Sequence, residues 1–342
     1  MTQQIEISVE GALGVIALNR PEAINALSLG MIEGITETLT VWASDDAIRA
    51  VLFEGRGAKG FCAGGDVRAV RALVVEGRHE EAVRYFVTEY RMNRLIATYP
   101  KPVIAMTQGI VMGGGIGIAG HARFRLTVPG ARFAMPEAAI GFFADVGVSA
   151  ILSKAPLNRA LLFLMSGATV GAADALALGL TDAGIVPERV HAVRSALPGA
   201  AAAEDAQMAI VGLLQAESII AGEPEFCMLA DLLPPDTPET AEAFVRDVSE
   251  VPTLADIGRL IASRSPTALA AIFHAHMAAR RAASVGDVLD MDLRLARVMC
   301  SLPDFAEGVR AVLVDKDQRP KWAPQTLAQV NSAAILAAVE MP

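Results

Sequence analysis

Two acidic residues, Glu137 and Asp145, lie eight positions apart in the segment Met135-Pro136-Glu137-Ala138-Ala139-Ile140-Gly141-Phe142-Phe143-Ala144-Asp145-Val146-Gly147, and everything between them is apolar or glycine. Carboxyl groups in such surroundings are poorly solvated. Loss of water disfavours the charged form, raises the pKa and suits general acid/base work. Capping of two successive helices by the two acids explains this segment equally well. A third carboxyl, Glu89, falls between apolar Phe86 and Met92 on a predicted helix. Its ordinary explanation is an ion pair with Arg84 or Arg91.

Two glycine-rich segments offer a different chemistry. They are Phe61-Cys62-Ala63-Gly64-Gly65-Asp66 and Met112-Gly113-Gly114-Gly115-Ile116-Gly117, and each follows a predicted strand and leads toward a helix. Glycine leaves backbone N–H groups unshielded, and a helix N-terminus adds partial positive charge. Two N–H groups converging from separate loops make an oxyanion hole. Taken singly, each cluster is also what a tight turn requires. Neither is followed by the Lys-Ser/Thr of a P-loop, and neither gives a GxGxxG dinucleotide fingerprint.

Other chemistries find no support. The five histidines form no HxxxH or HExxH pattern, which argues against a metal site. No GxSxG elbow occurs. Cys62 has no histidine placed to activate it and reads as a small buried filler. The three cysteines form no CxxC pair, which indicates a reducing compartment. A net charge of −9 argues against binding nucleic acid or an anionic membrane surface. Pro102 to Gly120 carries no charge, yet its six glycines speak for a strand, a turn and a helix start rather than a membrane span. Met1 to Glu10 is polar and alternating, with no targeting pattern, so the expected location is cytoplasmic.

The elements that would position these groups are those of a mixed α/β chain. Ile5, Ile7 and Val9 alternate, Glu10-Gly11 turns the chain, and Leu13 to Leu18 returns it as a hairpin. Ser28 is placed to cap a helix whose Ile32, Ile35, Leu39 and Trp42 recur at helical spacing. Ala50 to Phe53 and Val103 to Met106 are short strands, each followed by one of the glycine loops. A helix is predicted from about Val83 to Thr98, and strands at Arg123 to Val128 and Phe133 to Met135. Strand, strand, helix recurs, which suggests stacked ββα turns. Leu197-Pro198-Gly199 and the alanines to Ala203 read as a connection. Beyond it the pattern is mostly helical, punctuated by Pro234-Pro235, Pro252, Pro266 and Pro303. The expected organisation is a mixed core over 1–196 and a mainly helical region over 197–342.

Together these segments resemble the crotonase (enoyl-CoA hydratase/isomerase) superfamily. The resemblance rests on Ala26-Leu27 after Asn19-Arg20-Pro21, on Phe61 to Asp66, on Met112 to Gly117 and on Pro136-Glu137. It implies an α/β fold, a crotonase-like spiral of ββα turns with a helical C-terminal region. It implies an acyl-CoA substrate, with the thioester oxygen held by the backbone N–H groups of Gly65 and Gly114. Asn25, Ala26, Ala63, Gly64 and Asp66 would line the coenzyme-A path. Hydratases of the family carry a glutamate three residues past the second oxyanion glycine, where this chain has Gly117, and usually a glycine where it has Asp145. That combination is similar to the family's 3-hydroxyisobutyryl-CoA hydrolases, whose acids match Glu137 and Asp145 and whose substrate-contacting glutamate matches Glu89. Ser265-Pro266-Thr267, Asp304 to Asp317 and Pro320-Lys321-Trp322 are similar to the same group. Val148-Ser149-Ala150 departs from it, because the group continues with glycines there. The resemblance thus implies thioester hydrolysis in valine breakdown. No cofactor is expected, since coenzyme A enters as part of the substrate. No nucleic-acid or membrane partner is expected, and a homo-oligomer is compatible with the pattern.

Overall fold

The computed structural model describes residues 4–218, 222–234 and 238–341; Pro235, one of the prolines read as punctuation, lies outside them. Among the described residues nine strands form two sheets. Strands β1 (Ile5–Glu10) and β2 (Leu13–Leu18) make the expected antiparallel hairpin. Parallel neighbours follow: β3 (Ala50–Gly55), β5 (Val103–Thr107), β7 (Phe124–Thr127) and β9 (Ala183–Gly184), giving the order β1-β2-β3-β5-β7-β9. The shorter β4 (Gly60–Cys62), β6 (Ile110–Met112) and β8 (Arg132–Ala134) form a second sheet in the order β4-β6-β8. From β3 to β8 the chain gives one strand to each sheet in turn, and β1-β2, β3-β4 and β5-β6 each pass into helix. This is the ββα spiral that the recurring pattern predicted.

The chain divides into two compact units, each assembled from separated segments. The first comprises 1–65, 91–133 and 170–224. Its core lies on the large sheet, where Leu13, Val15, Leu52, Ile104 and Leu126 pack with Val193, Leu197 and Ala201 and with Ile210 and Leu214. Strand β2 is buried along its whole length, as parallel interior strands are. On the edge strand β1, Ile5 is buried while Ile7 and Val9 are exposed. Ser28 caps the helix Leu29–Ala43 by accepting a bond from the Met31 N–H, and Ile32, Ile35, Leu39 and Trp42 form its buried stripe.

The second unit comprises 66–90, 134–169 and 225–342 and is mainly helical. Its helix Pro266–Ala279 is buried on nearly every side, as a mostly apolar sequence requires, and it takes Thr267 and His276 into the core with it. Ser265 caps it, and Pro266 occupies the first turn, where a missing N–H costs nothing.

The connection expected near residue 197 is corrected. Leu197 to Ala202 belong to the helix Pro187–Ala202, which carries Pro198 in its interior. Val193, Leu197 and Ala201 recur every fourth residue and bury themselves on the sheet. That burial outweighs the local breaking signal of Pro-Gly. A boundary between 196 and 197 thus cuts a helix, and the two units interleave along the chain instead.

Candidate active site

In the first unit the two glycine segments lie against each other. Gly64 has φ +105, and a Cβ there would stand 3.3 Å from the Met112 carbonyl oxygen and 3.6 Å from the Gly114 nitrogen. A Cβ on Gly115 would stand 2.6 Å from the Cys62 carbonyl oxygen, closer than real Cβ atoms come. Only glycine permits this approach. Gly114 and Gly115 open the helix Gly114–Ala119, and Gly113 accepts the first bonds of that helix, from the N–H groups of Ile116 and Gly117. The first N–H groups of a helix have no intrahelical acceptor. Neither the Gly65 nor the Gly114 N–H has an acceptor among the described residues. The two donors named from the sequence are therefore both unspent.

A scaffold holds this nest. Asn25 is fully buried with φ +56. Its Nδ2 donates to the carbonyls of Arg56, Gly60 and Phe61 at 3.0–3.2 Å, and its Oδ1 accepts from the Arg20 N–H at 2.8 Å. The Ala63 N–H donates to Ile24, the Leu27 N–H to Gly64, and Arg20 Nη1 to the Ala26 carbonyl. Asn25, Ala26 and Ala63, named as substrate-binding positions, thus tie one loop to the next, and the Asn25 side chain is occupied in doing so. Cys62 is buried, with its Sγ 3.2 Å from the Asn25 carbonyl, as a filler would be.

The acids belong to the second unit. Glu137 begins the 3-10 turn Glu137–Ile140, which ends at Gly141 with φ +69. A Cβ on Gly141 would lie 2.1 Å from the Asp304 carbonyl oxygen, so the turn sits hard on the helix Pro303–Val309. The Ser265 N–H donates to the Ala138 carbonyl, Ser265 Oγ donates to Asp304 Oδ2 at 2.6 Å, and the Ala323 N–H donates to Asp304 Oδ1. The C-terminal segments similar to the hydrolases are therefore the buttress of the Glu137 turn. Asp66, where this unit begins, stands at the N-cap of the helix Val67–Val75 without a side-chain capping bond.

Four carboxyl groups are buried here. Glu89, Glu137, Asp145 and Asp292 retain 2%, 8%, 5% and 1% of their exposure. Among the described residues no cation is paired with them, and Glu89 Oε1, Glu137 Oε2 and Asp292 Oδ1 have no hydrogen-bond partner. The ion pair that would have explained Glu89 does not form. Neither do the caps that would have explained Glu137 and Asp145, since no capping bond from either side chain is present at the turn or at the helix Val148–Ile151. Burial is the main cause of the shifts that follow. Glu137 is pushed well above the usual carboxylate range by burial and then by the negative charge of Asp145, against a bond from its own N–H. Glu89 is pushed up by burial and by Asp145. Asp145 is raised by burial to about 7, and is held from rising further by the Tyr90 hydroxyl and its own N–H. Tyr90 Oη donates to Asp145 Oδ2 at 2.6 Å. Asp292 is pushed well up by burial and by Asp145, opposed by the Gly147 N–H.

The structure thus groups Glu89, Glu137 and Asp145 in one unit, and Gly65 and Gly114 in the other. It adds Tyr90 and Asp292, which sequence reasoning missed. Tyr90 follows Glu89 directly. Asp292 interrupts an apolar stripe of Val288, Leu289, Leu295 and Met299, and an acid at such a position was the available signal.

Comparison with known proteins bears on the same residues. A family description, enoyl-CoA hydratase/isomerase, matches residues 13–339. A mitochondrial 3-hydroxyisobutyryl-CoA hydrolase of Danio rerio is 34% identical over 94% of this chain and 85% of its own, and that of Homo sapiens is 30% identical over 96% and 86%. A carnitinyl-CoA dehydratase from Mycobacterium thermoresistibile superposes with a TM-score of 0.90 at 33% identity, over 99% of this chain and 97% of its own. An enoyl-CoA hydratase from Rhodobacter sphaeroides superposes with a TM-score of 0.89 at 29% identity, over 98% and 97%. The expectation of a cytoplasmic location does not stand, because the animal hydrolases this chain resembles are mitochondrial.

Proposed function

The chain belongs to the enoyl-CoA hydratase/isomerase family, and from that premise we propose that it is a hydrolase of 3-hydroxyisobutyryl-CoA, releasing 3-hydroxyisobutyrate and coenzyme A. The carrying observation is a buried Glu137, its Oε2 without a partner among the described residues, beside a buried Asp145 bound by Tyr90. Addition of water to a double bond in this family uses a second acid at the position of Gly117. Gly117 here is a buried helical residue whose N–H is bound to Gly113. The hydratase and dehydratase names of the structural relatives therefore fit the scaffold better than they fit the acids.

In this reading the N–H groups of Gly65 and Gly114 take the thioester oxygen as it becomes an oxyanion, a service worth about 3–4 kcal/mol per donor. Close carboxyls cannot all ionise together, and the charge of Asp145 acts on Glu137, so the shared proton rests on Glu137 in the free enzyme and passes to Asp145 as substrate binds, leaving a base and an acid. Ionised Glu137 either attacks the carbonyl carbon, giving a mixed anhydride that water then opens, or takes a proton from the water that attacks. The carbon–sulfur bond breaks, and protonated Asp145 returns a proton to the departing thiolate. Glu89 serves the hydroxyl end of the acyl group. The step needs no cofactor, since coenzyme A arrives with the substrate. On this reading the enzyme would serve valine breakdown.

The test is free-thiol release from 3-hydroxyisobutyryl-CoA, read with a thiol reagent, beside the ultraviolet absorbance of crotonyl-CoA. Thiol release with unchanged enoyl absorbance is expected. Loss of enoyl absorbance without thiol release would overturn the hydrolase reading and leave Glu137 as the single base of an isomerase or hydratase. Single turnover in heavy-oxygen water then separates attack by Glu137, which leaves label in its carboxyl, from activation of water, which does not.

A further inference from the structure

Asp292 stands in the helix Val285–Ser301 on a stripe that is otherwise Val288, Leu289, Leu295 and Met299. Packing alone would fill that place with an apolar side chain, and a buried carboxyl without a cation is costly. Its one described bond is long-range: the Gly147 N–H donates to Asp292 Oδ2 at 2.8 Å. Its other oxygen, Oδ1, is buried without a partner.

The segment it grips is an unusual one. Val146 has φ +55 and Gly147 φ +72, two consecutive residues in the left-handed region. A β-branched residue there is disfavoured and persists only where its surroundings over-determine it. The turn begins at Asp145, whose carbonyl accepts from the Val148 N–H at 3.1 Å while its side chain accepts from Tyr90. Orientation of the Asp145 carboxyl therefore depends on the strained turn, and the turn is pinned from outside by Asp292.

We infer that Asp292 is a positioning residue: through its bond to the Gly147 N–H it holds the Asp145–Gly147 turn, and with it the direction and water exclusion of the Asp145 carboxyl. It does this as a neutral acid. Burial and the charge of Asp145 both hold its proton on, and only the Gly147 N–H favours the anion. The titratable groups coupled to Asp145 are Tyr90 and Glu89 on the helix His79–Ala97, Glu137 on its turn, and Asp292 and Cys300 on the helix Val285–Ser301. Cys300, pushed to about 12 by burial and by Asp145, stays a thiol throughout the working range. The inference rests on the hydrolase reading only for the rate it predicts, and not for the titration of Asp145.

The experiment compares Asp292→Asn, whose carbonyl can still accept from Gly147, with Asp292→Ala, which cannot. Carboxyl-carbon NMR of aspartate-labelled full-length protein follows the titration, with the Asp145 line identified by its loss in Asp145→Asn. In Asp292→Ala the Asp145 midpoint should fall from about 7 by about one unit, as the loosened turn admits water. Thiol release should drop about tenfold to a hundredfold through kcat, with KM little changed. Asp292→Asn should restore both. A purely structural Asp292 would change melting temperature and yield in both variants and leave the midpoint in place. An unmoved midpoint in Asp292→Ala overturns the inference, as does Asp292→Asn behaving like Asp292→Ala. Should Asp292→Ala not fold, Asp292→Asn decides alone: a midpoint moved by a unit or more, with wild-type melting, shows a charged Asp292 and rejects the neutral role. Wild-type protein that releases no thiol would sink the hydrolase reading while the midpoints still judge Asp292.

Discussion

The two units hold their chemistry in different materials. In the first it is main chain: two glycine N–H groups without acceptors among the described residues, held by close packing of Gly64 and Gly115 and by the buried Asn25. In the second it is side chain: Glu89, Glu137, Asp145, Asp292 and Tyr90, buried with no cation among them in the described residues. The first device carries no titratable group, so its donors are the same at every pH. The second depends wholly on which carboxyl holds a proton. An enzyme that needs a fixed dipole for an oxygen and a movable proton for a leaving group is served by keeping the two apart in kind. The contrast can be broken or sharpened at each end.

The largest effect is expected at Glu137. Glu137→Gln preserves shape and removes the carboxylate that attacks the carbonyl or activates the attacking water, so kcat for thiol release should fall about a thousandfold or more. Its melting temperature at pH 8 should equal or exceed the wild type, because a buried carboxyl with no cation beside it among the described residues has been replaced by a neutral group. A variant that keeps its rate would remove the second unit from the chemistry. In the first unit the matching change is Gly114→Pro. Gly114 is the first residue of its helix, the one helical position where proline is readily accepted, and the substitution deletes the N–H itself. A loss of about a hundredfold to a thousandfold in kcat is expected, with wild-type binding of free coenzyme A by calorimetry.

What could be read from the sequence follows the same division. The glycine nest was legible because its signal is local: runs of glycine after a strand mean a turn, a close approach and bare N–H groups. Glu137 and Asp145 were legible because one short apolar segment carries both. Tyr90 and Asp292 were not, since their bonds reach across 55 and 145 positions, to Asp145 and Gly147. Spacing rules describe neighbours on an element and are silent about such partners. Asn25 was read as a substrate contact, whereas its amide is consumed by three carbonyls of the neighbouring loop. The hairpin, the capped helix at Ser28 and the ββα recurrence were all visible in periodicity. Leu197 to Ala203 was misread because burial of Val193, Leu197 and Ala201 is a tertiary effect that Pro198-Gly199 conceals.

Stability should separate the units next. Asp145 titrates at 3.8 in its ordinary state and at about 7 in the fold. A raised acid gives stability that is complete below the unfolded value and is lost as pH rises through the folded one. Between those values Asp145 alone forfeits on the order of 4 kcal/mol, and Glu89, Glu137 and Asp292 shift in the same direction. Glu10, in the first unit, runs the other way: its carboxyl is lowered by Arg194, a contribution lost only in acid. Hydrogen exchange corrected for intrinsic rates should therefore show peptides of the second unit opening more readily at pH 8 than at pH 5, with the first unit little changed. Equal loosening of both would mean that water or a counter-ion already solvates the carboxyls.

The smallest and most discriminating change is Tyr90→Phe. The hydroxyl donates to Asp145 Oδ2 and so favours the anion. Without it the folded pKa of Asp145 must rise above about 7, by about one unit for a single charge-assisted bond. The limb of the kcat profile that reports Asp145 should then move to higher pH, with the plateau lowered by about tenfold or less. Gly114→Pro should do the opposite, lowering the plateau far more while leaving the limb in place, because a main-chain donor titrates nothing. A limb that moves in both variants would show that the nest and the carboxyls titrate as one system. A limb that moves in neither would show that Tyr90 only packs, as its contact with Phe86 would by itself suggest.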